Sequence, residues 1–294
     1  MVVLRRLRES SYNLKSLAKN LAKSLAAKLF LRRLLGVAVA WLPMAGLLAT
    51  SSAHADQEVL NDLVARLQFD YYAADVRAFR RDLQALKELE VDEPRELLRT
   101  YYRAFGQMRF AETLTTRDRA EARKAAAACI DLADSIVDHD PPRMSAQARR
   151  RIDVLYAEVW AMKAACDDAD AEASILPTFG AGKARERASE LAPDDPRVLL
   201  LSAVHDAKHA KNEASRETAA AALRHVVEVF DNAPPAESAM PDWGQPEALA
   251  WLGKMELDLH HRAGARNALE RALVLAPDYA WARGLLASLT GGGS

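Results

Sequence analysis

From Asp56 onward, the apolar residues of this chain recur three and four positions apart, and no stretch keeps the strict alternation of a half-buried strand. That spacing lays apolar side chains along one side of a helix. Leu60, Leu63, Val64, Leu67 and Tyr71 make one such stripe, and Leu97, Leu98, Tyr101, Tyr102 and Phe105 make another after the Glu93-Pro94 break. The 12 glycines and 12 prolines cluster in a few places, so runs of Ala, Leu, Glu and Arg extend without a breaker. The pattern predicts an all-α fold, with further helices over 117–138, 145–168, 182–191, 196–210, 216–231, 246–261, 265–275 and 279–289. With 50% apolar and 28% charged residues, the chain can fill a core and is not of the disordered class.

The breaks are chemically definite. Asp140-Pro141-Pro142, Asp194-Asp195-Pro196, Pro234-Pro235 and Gln245-Pro246 stop one helix or open the next, because proline lacks an amide hydrogen and restricts the residue before it. Compared with itself, the chain repeats one joint: Ser189-Glu190-Leu191-Ala192-Pro193-Asp194-Asp195-Pro196 aligns with Leu273-Val274-Leu275-Ala276-Pro277-Asp278-Tyr279-Ala280. In both, a helix rich in small residues ends in Leu-Ala-Pro, and an Asp follows where its carboxylate can cap the next helix.

On these residues the sequence resembles the tetratricopeptide repeat family. Taking Pro277 as the closing proline of a unit of about 34 residues puts Leu249, Leu252, Gly253, Ala265, Leu269 and Ala272 on the family's helix-contact positions. Glu256 stands where the family usually has an aromatic residue, and the unit ending at Pro193 keeps Ala181 and Ala188 but carries an insertion around Asp167 to Phe179. The resemblance covers about 40 residues closely and extends over about 110. Pro241-Asp242-Trp243-Gly244, leading into Glu247-Ala248-Leu249-Ala250-Trp251-Leu252-Gly253, is also similar to exported bacterial members. The implied fold is a solenoid of antiparallel helix pairs whose first helices line a concave face. The implied function is that of a scaffold or adaptor binding a protein or peptide in a cell-envelope complex, without catalysis and without a cofactor.

Residues 1–55 read as a signal peptide with a long basic n-region: nine Lys/Arg against Glu9, an apolar run from Leu34 to Ala49, and an Ala-His-Ala ending at Ala55. Export to the periplasm or secretion after cleavage near Ala55-Asp56 is the expectation. The apolar run is short of the roughly 20 residues a spanning helix needs, so any membrane contact is expected only through the uncleaved signal. Beyond it come helical hairpins over 56–140, repeat-like hairpins over 141–290 and a Gly-rich tail at 291–294. The net charge of −1 hides a split, because residues 1–55 carry +8 and the remainder −9. An acidic body without a basic stripe is unsuited to nucleic acid.

Two cysteines occur, Cys129 and Cys166. On tightly joined antiparallel helices at 117–138 and 145–168, the residue opposite Cys129 is near Val154, leaving Cys166 about 18 Å further along. Two small buried thiols are therefore expected, not a disulfide.

His205 and His209, four apart, share one helix face as zinc requires, which makes a zinc-dependent hydrolase the alternative to the scaffold. Asp206 is one methylene shorter than the Glu base such enzymes use, and a solvated helix end explains the pair more simply. Asp168, Asp170 and Glu172 alternate as in a calcium loop, but Ala173 replaces its turning glycine. Gly180-Ala181-Gly182-Lys183 lacks the preceding strand and the Ser/Thr of a phosphate loop, and reads as a helix start. His139 reads as favoured by a helix C-terminus. The concave positions implied by the resemblance are Leu201, Val204 and Lys208 in one unit, and Ala250, Lys254, Leu257 and Asp258 in the next, with Trp251 beside them. Trp243, in a proline-rich loop from Ala233 to Gln245, looks exposed and suited to be a contact anchor. A third reading is a transporter-associated solute-binding repeat protein, which a closed apolar pocket in place of an open groove would favour.

Overall fold

Pro94, Pro196 and Pro246 each fall in the first turn of a helix in the computed structural model, as their sequence context requires. The structure describes residues 49–138, 145–174, 180–235 and 240–291, which hold eleven helices and no strand. These are α1 (Ala49–Ala73), α2 (Val76–Glu88), α3 (Glu93–Leu114), α4 (Arg119–Val137), α5 (Ala146–Ser174), α6 (Gly180–Leu191), α7 (Pro196–His209), α8 (Glu213–Asn232), α9 (Gln245–Asp258), α10 (Arg262–Leu275) and α11 (Ala280–Gly291). The fold is all-α. Among the described residues no helix is long and apolar enough to cross a membrane. The expected signal segment up to residue 48, His139, the 140–142 break and the tail at 292–294 lie outside the described residues. Helix α1 runs through the expected cleavage point.

Short polar side chains fix several starts. Asp75 accepts from the amides of Arg77 and Ala78, Asp118 from Glu121, Asp195 from Arg197 and Val198, and Asn212 with Ser215 forms a reciprocal capping box. From α3 on, each helix contacts its successor, and α3, α5, α7, α9 and α11 also contact one another in that order.

The repeated joint is structurally repeated. Ala192 N–H bonds to Ala188 O (3.0 Å), Asp195 to Ala192 (3.3 Å) and Leu199 to Asp195 (3.0 Å). Ala276 bonds to Ala272 (2.9 Å), Tyr279 to Ala276 (3.0 Å) and Arg283 to Tyr279 (3.0 Å), the same three bonds at equivalent positions. Leu249, Leu252, Gly253, Ala265, Leu269 and Ala272 are all buried. A Cβ on Gly253 would stand 2.6 Å from Leu269, so α9 and α10 are closer than any side chain there permits.

The cysteines overturn the expectation of free thiols. Cys129 and Cys166 form a disulfide, Cα to Cα 6.3 Å, and neither is exposed. The ion pairs Lys163–Asp134 (2.5 Å) and Arg123–Asp170 (3.2 Å) follow the same register between α4 and α5. In that register the residue opposite Val137 is near Glu158, so the first three turns of α5 run on past the end of α4. The expectation failed because it took the two helices to be joined by a tight turn. Instead α5 is longer than expected at its C-terminal end and is placed by contacts with α3 and α7. Asp168 and Asp170 are thus helical, not part of a calcium loop, and residues 180–183 open α6, a helix start as read.

Candidate functional site

The residues expected to line a binding face separate. Leu201 and Val204 are 7% exposed and belong to the core. Lys254 and Asp258 pair with each other one turn apart on α9. Trp243, expected at the surface, is 1% exposed, which corrects that reading. Its indole packs on Phe105 at 4.9 Å between ring centres and donates its N–H to the Tyr101 hydroxyl at 2.9 Å. Burial of the ring needs the next residue to turn sharply. Gly244 adopts φ +115°, and a Cβ there would meet Phe230 at 2.8 Å.

Lys208 and Trp251 do share a cavity, of about 390 Å³. Its other walls come from the end of α1 (Tyr71, Tyr72), the end of α3 with the following turn (Glu112 to Arg117) and the start of α11 (Tyr279, Trp281). Five aromatic rings form its inner surface. Tyr72 and Tyr279 are 4.8 Å apart by ring centres, Tyr71 and Tyr72 5.6 Å, Trp251 and Trp281 5.0 Å, and Tyr279 and Trp281 6.1 Å. At these spacings the rings pack on one another by tilted and edge contacts. Arg117 and Lys208 are exposed, so the cavity joins an aromatic surface to two surface cations, with Glu112, Thr113, Thr115 and Thr116 completing its described wall.

Beneath the rings lies a buried charge cluster. Arg109, 3% exposed, donates to Glu247 at 2.6 Å and to Glu112 at 2.9 Å, and its guanidinium stands 4.7 Å from the centre of the Tyr71 ring. Tyr72 donates to the other oxygen of Glu247 at 2.9 Å, and Tyr71 reaches Glu112 at 3.4 Å. Burial alone would lower the Arg109 pKa, but Tyr71, Glu247 and Glu112 reverse this and hold the guanidinium charged. Burial raises the pKa of Tyr71, Tyr72 and Tyr279, so all three present neutral hydroxyls. The buried Tyr279 hydroxyl faces that of Tyr71, whose pKa it lowers by hydrogen bonding against the larger effect of burial.

A second cluster ties α3 to α5 and α7. Tyr101 donates to Glu158 at 2.5 Å, Arg197 approaches the same carboxylate at 3.5 Å, and Arg197 also donates to the Pro241 carbonyl. Glu158 is 1% exposed, and burial, with Asp195 nearby, pushes its carboxyl up to about 8 against the pull of Arg197 and Tyr101. A carboxyl so placed carries its proton at neutral pH.

His205 and His209 lie on one face of α7 with ring centres 4.3 Å apart. His205 Nδ1 is 2.8 Å from Asp168, which Arg185 also engages at 2.7 Å, and His209 Nδ1 is 2.8 Å from the His205 carbonyl. Among the described residues no group of three His, Cys, Asp or Glu could hold a metal ion.

Sequence reading missed Tyr72, Arg109, Glu247, Tyr279 and Trp281. Arg109 carried a usable signal: it continues the four-residue spacing of Tyr101 and Phe105, so a charge falls on an apolar stripe and demands a buried partner. The meeting of Tyr71 and Tyr72 with Tyr279 had none, because it joins residues some two hundred positions apart.

No protein-family model matches the chain, and no curated protein matches it.

Proposed function

We propose that this chain is an exported solenoid of tetratricopeptide-like helical hairpins that holds a protein or peptide partner in a cell-envelope complex, with no catalytic step of its own. The observation that carries the reading is the cavity of about 390 Å³ in which Lys208 and Trp251 meet three tyrosines and Trp281. Aromatic side chains grouped at a partly open site, with charge kept to the edge, have the composition of a contact anchor. The contacts of α3, α5, α7, α9 and α11 in succession, and the joint used twice, support a solenoid. The Cys129–Cys166 disulfide fits a protein matured outside the reducing cytosol.

The test is a pull-down from envelope extract with the full chain and with a Trp251→Ala, Trp281→Ala variant. Loss of a specifically captured protein in the variant supports the reading, and equal capture by both places the partner elsewhere. Mass spectrometry of the chain recovered from the producing cell is expected to find an N-terminus at Asp56. The cavity volume also favours a second reading, a solute-binding repeat protein serving a transporter, since it lies within the range of small-molecule pockets.

A further inference from the structure

We propose that the aromatic cavity receives an aromatic side chain from an extended acidic segment of the partner, with the flanking carboxylates meeting Arg117 and Lys208; this rests on the partner-binding reading above. Three observations carry it. The interior offers ring faces and edges from α1, α9 and α11. Among the described residues, the one carboxylate in the lining, Glu112, is already engaged by Arg109 at 2.9 Å and by Tyr71 at 3.4 Å, so it is little disposed to take an incoming cation. Arg117 and Lys208 are exposed at the edge and have no carboxylate partner among the described residues.

The placement of charge decides between a peptide and a free solute. A pocket for a small anion encloses most of its ligand and meets the charge with a donor inside. Here the cations stand outside and the rings inside. A ligand fits that order if its ring enters while its charges remain at the surface on either side, as in an aromatic residue with acidic neighbours. Aromatic contact supplies the buried area, and the two cations supply choice and a salt-dependent gain.

The test is calorimetric titration of the full chain with Ac-Asp-Asp-Phe-Asp-Asp-NH2, with the same peptide carrying Ala for Phe, with the same peptide carrying Asn for Asp, and with N-acetylphenylalanine. The acidic Phe peptide is expected to bind at least roughly tenfold more tightly than each of the other three at low salt. An Arg117→Gln, Lys208→Gln variant, altered only at exposed positions, is expected to lose that advantage for the Asp peptide and to leave the Asn peptide unchanged. Equal binding of the Asn peptide overturns the role of the cations. Equal binding of N-acetylphenylalanine overturns the peptide assignment and supports a solute site. Absence of binding by every probe overturns the ligand class, and a pull-down that still succeeds then leaves the partner-binding function standing.

Discussion

In the α9–α10 hairpin, helices meet through glycine, alanine and leucine, with Gly253 against Leu269 and Ala265, Ala268 and Ala272 buried around them. Where α3 meets the segment 241–247, the contact is equally buried but is polar: Arg109 pairs with Glu247, and the Trp243 indole lies against Arg109 and donates to Tyr101. The first arrangement needs only shape and tolerates no added volume. The second needs every partner present, because a buried charge that loses its counter-charge costs more than the pair contributes. Close approach by small residues joins two neighbouring helices, whereas a polar junction fixes one particular meeting of distant segments.

The largest effect is expected where that junction loses one member. Arg109→Leu leaves Glu247 and Glu112 without compensation and should cost about 3–5 kcal/mol in urea unfolding. Arg109→Leu with Glu247→Leu should recover a good part of that. If the double variant is no better than the single, the junction is held by ring packing and the contrast with α9–α10 fails.

Next comes pH. The folded Glu158 carboxyl, at about 8, lies above its ordinary value of 4.5, so the folded chain keeps a proton that the unfolded chain has lost. Its contribution is full below about 4.5 and is lost as pH rises through about 8, at up to ~1.4 kcal/mol per unit between. Glu158→Gln should flatten that fall, and an unchanged slope in the variant would remove Glu158 as its source.

Cys129→Ala with Cys166→Ala should lower stability by about 2–4 kcal/mol, read as the loss of midpoint relative to the oxidised chain. The smallest effects compare two glycines. Gly253→Ala forces Leu269 aside and should cost about 1–3 kcal/mol, whereas Gly182→Ala, on α6 with open space around its Cβ position, should change stability by no more than ~0.5 kcal/mol in either direction. Equal responses would mean that the α9–α10 contact is looser than its geometry.

Helix identity, most helix limits and the repeated joint were legible in the sequence because each depends on neighbours within about four residues: apolar spacing, a proline in the first turn, a capping Asp such as Asp195. The six small and large positions of the 249–272 hairpin were read from the resemblance to a repeat of about 34 residues, counted back from Pro277. Glu256, the residue that departs from the family pattern, is met by Arg224 at 3.1 Å and by His261 at 2.9 Å, and only the second of these is local. Of the residues expected on a concave face, Lys208 and Trp251 are among the described residues that line the cavity.

The sequence by itself determined that this chain is helical and that Pro94, Pro196 and Pro246 open helices, because local propensity and periodicity are written over a few consecutive residues. It did not determine the break between α1 and α2. Tertiary structure alone decided that Cys129 meets Cys166, that Trp243 is covered, and that Tyr71 and Tyr72 come to Tyr279 and Trp281. The physical reason is register. How far one helix slides along another is set by the sum of its distant contacts, and a shift of about three turns, roughly 18 Å, changes every pair that faces across the interface.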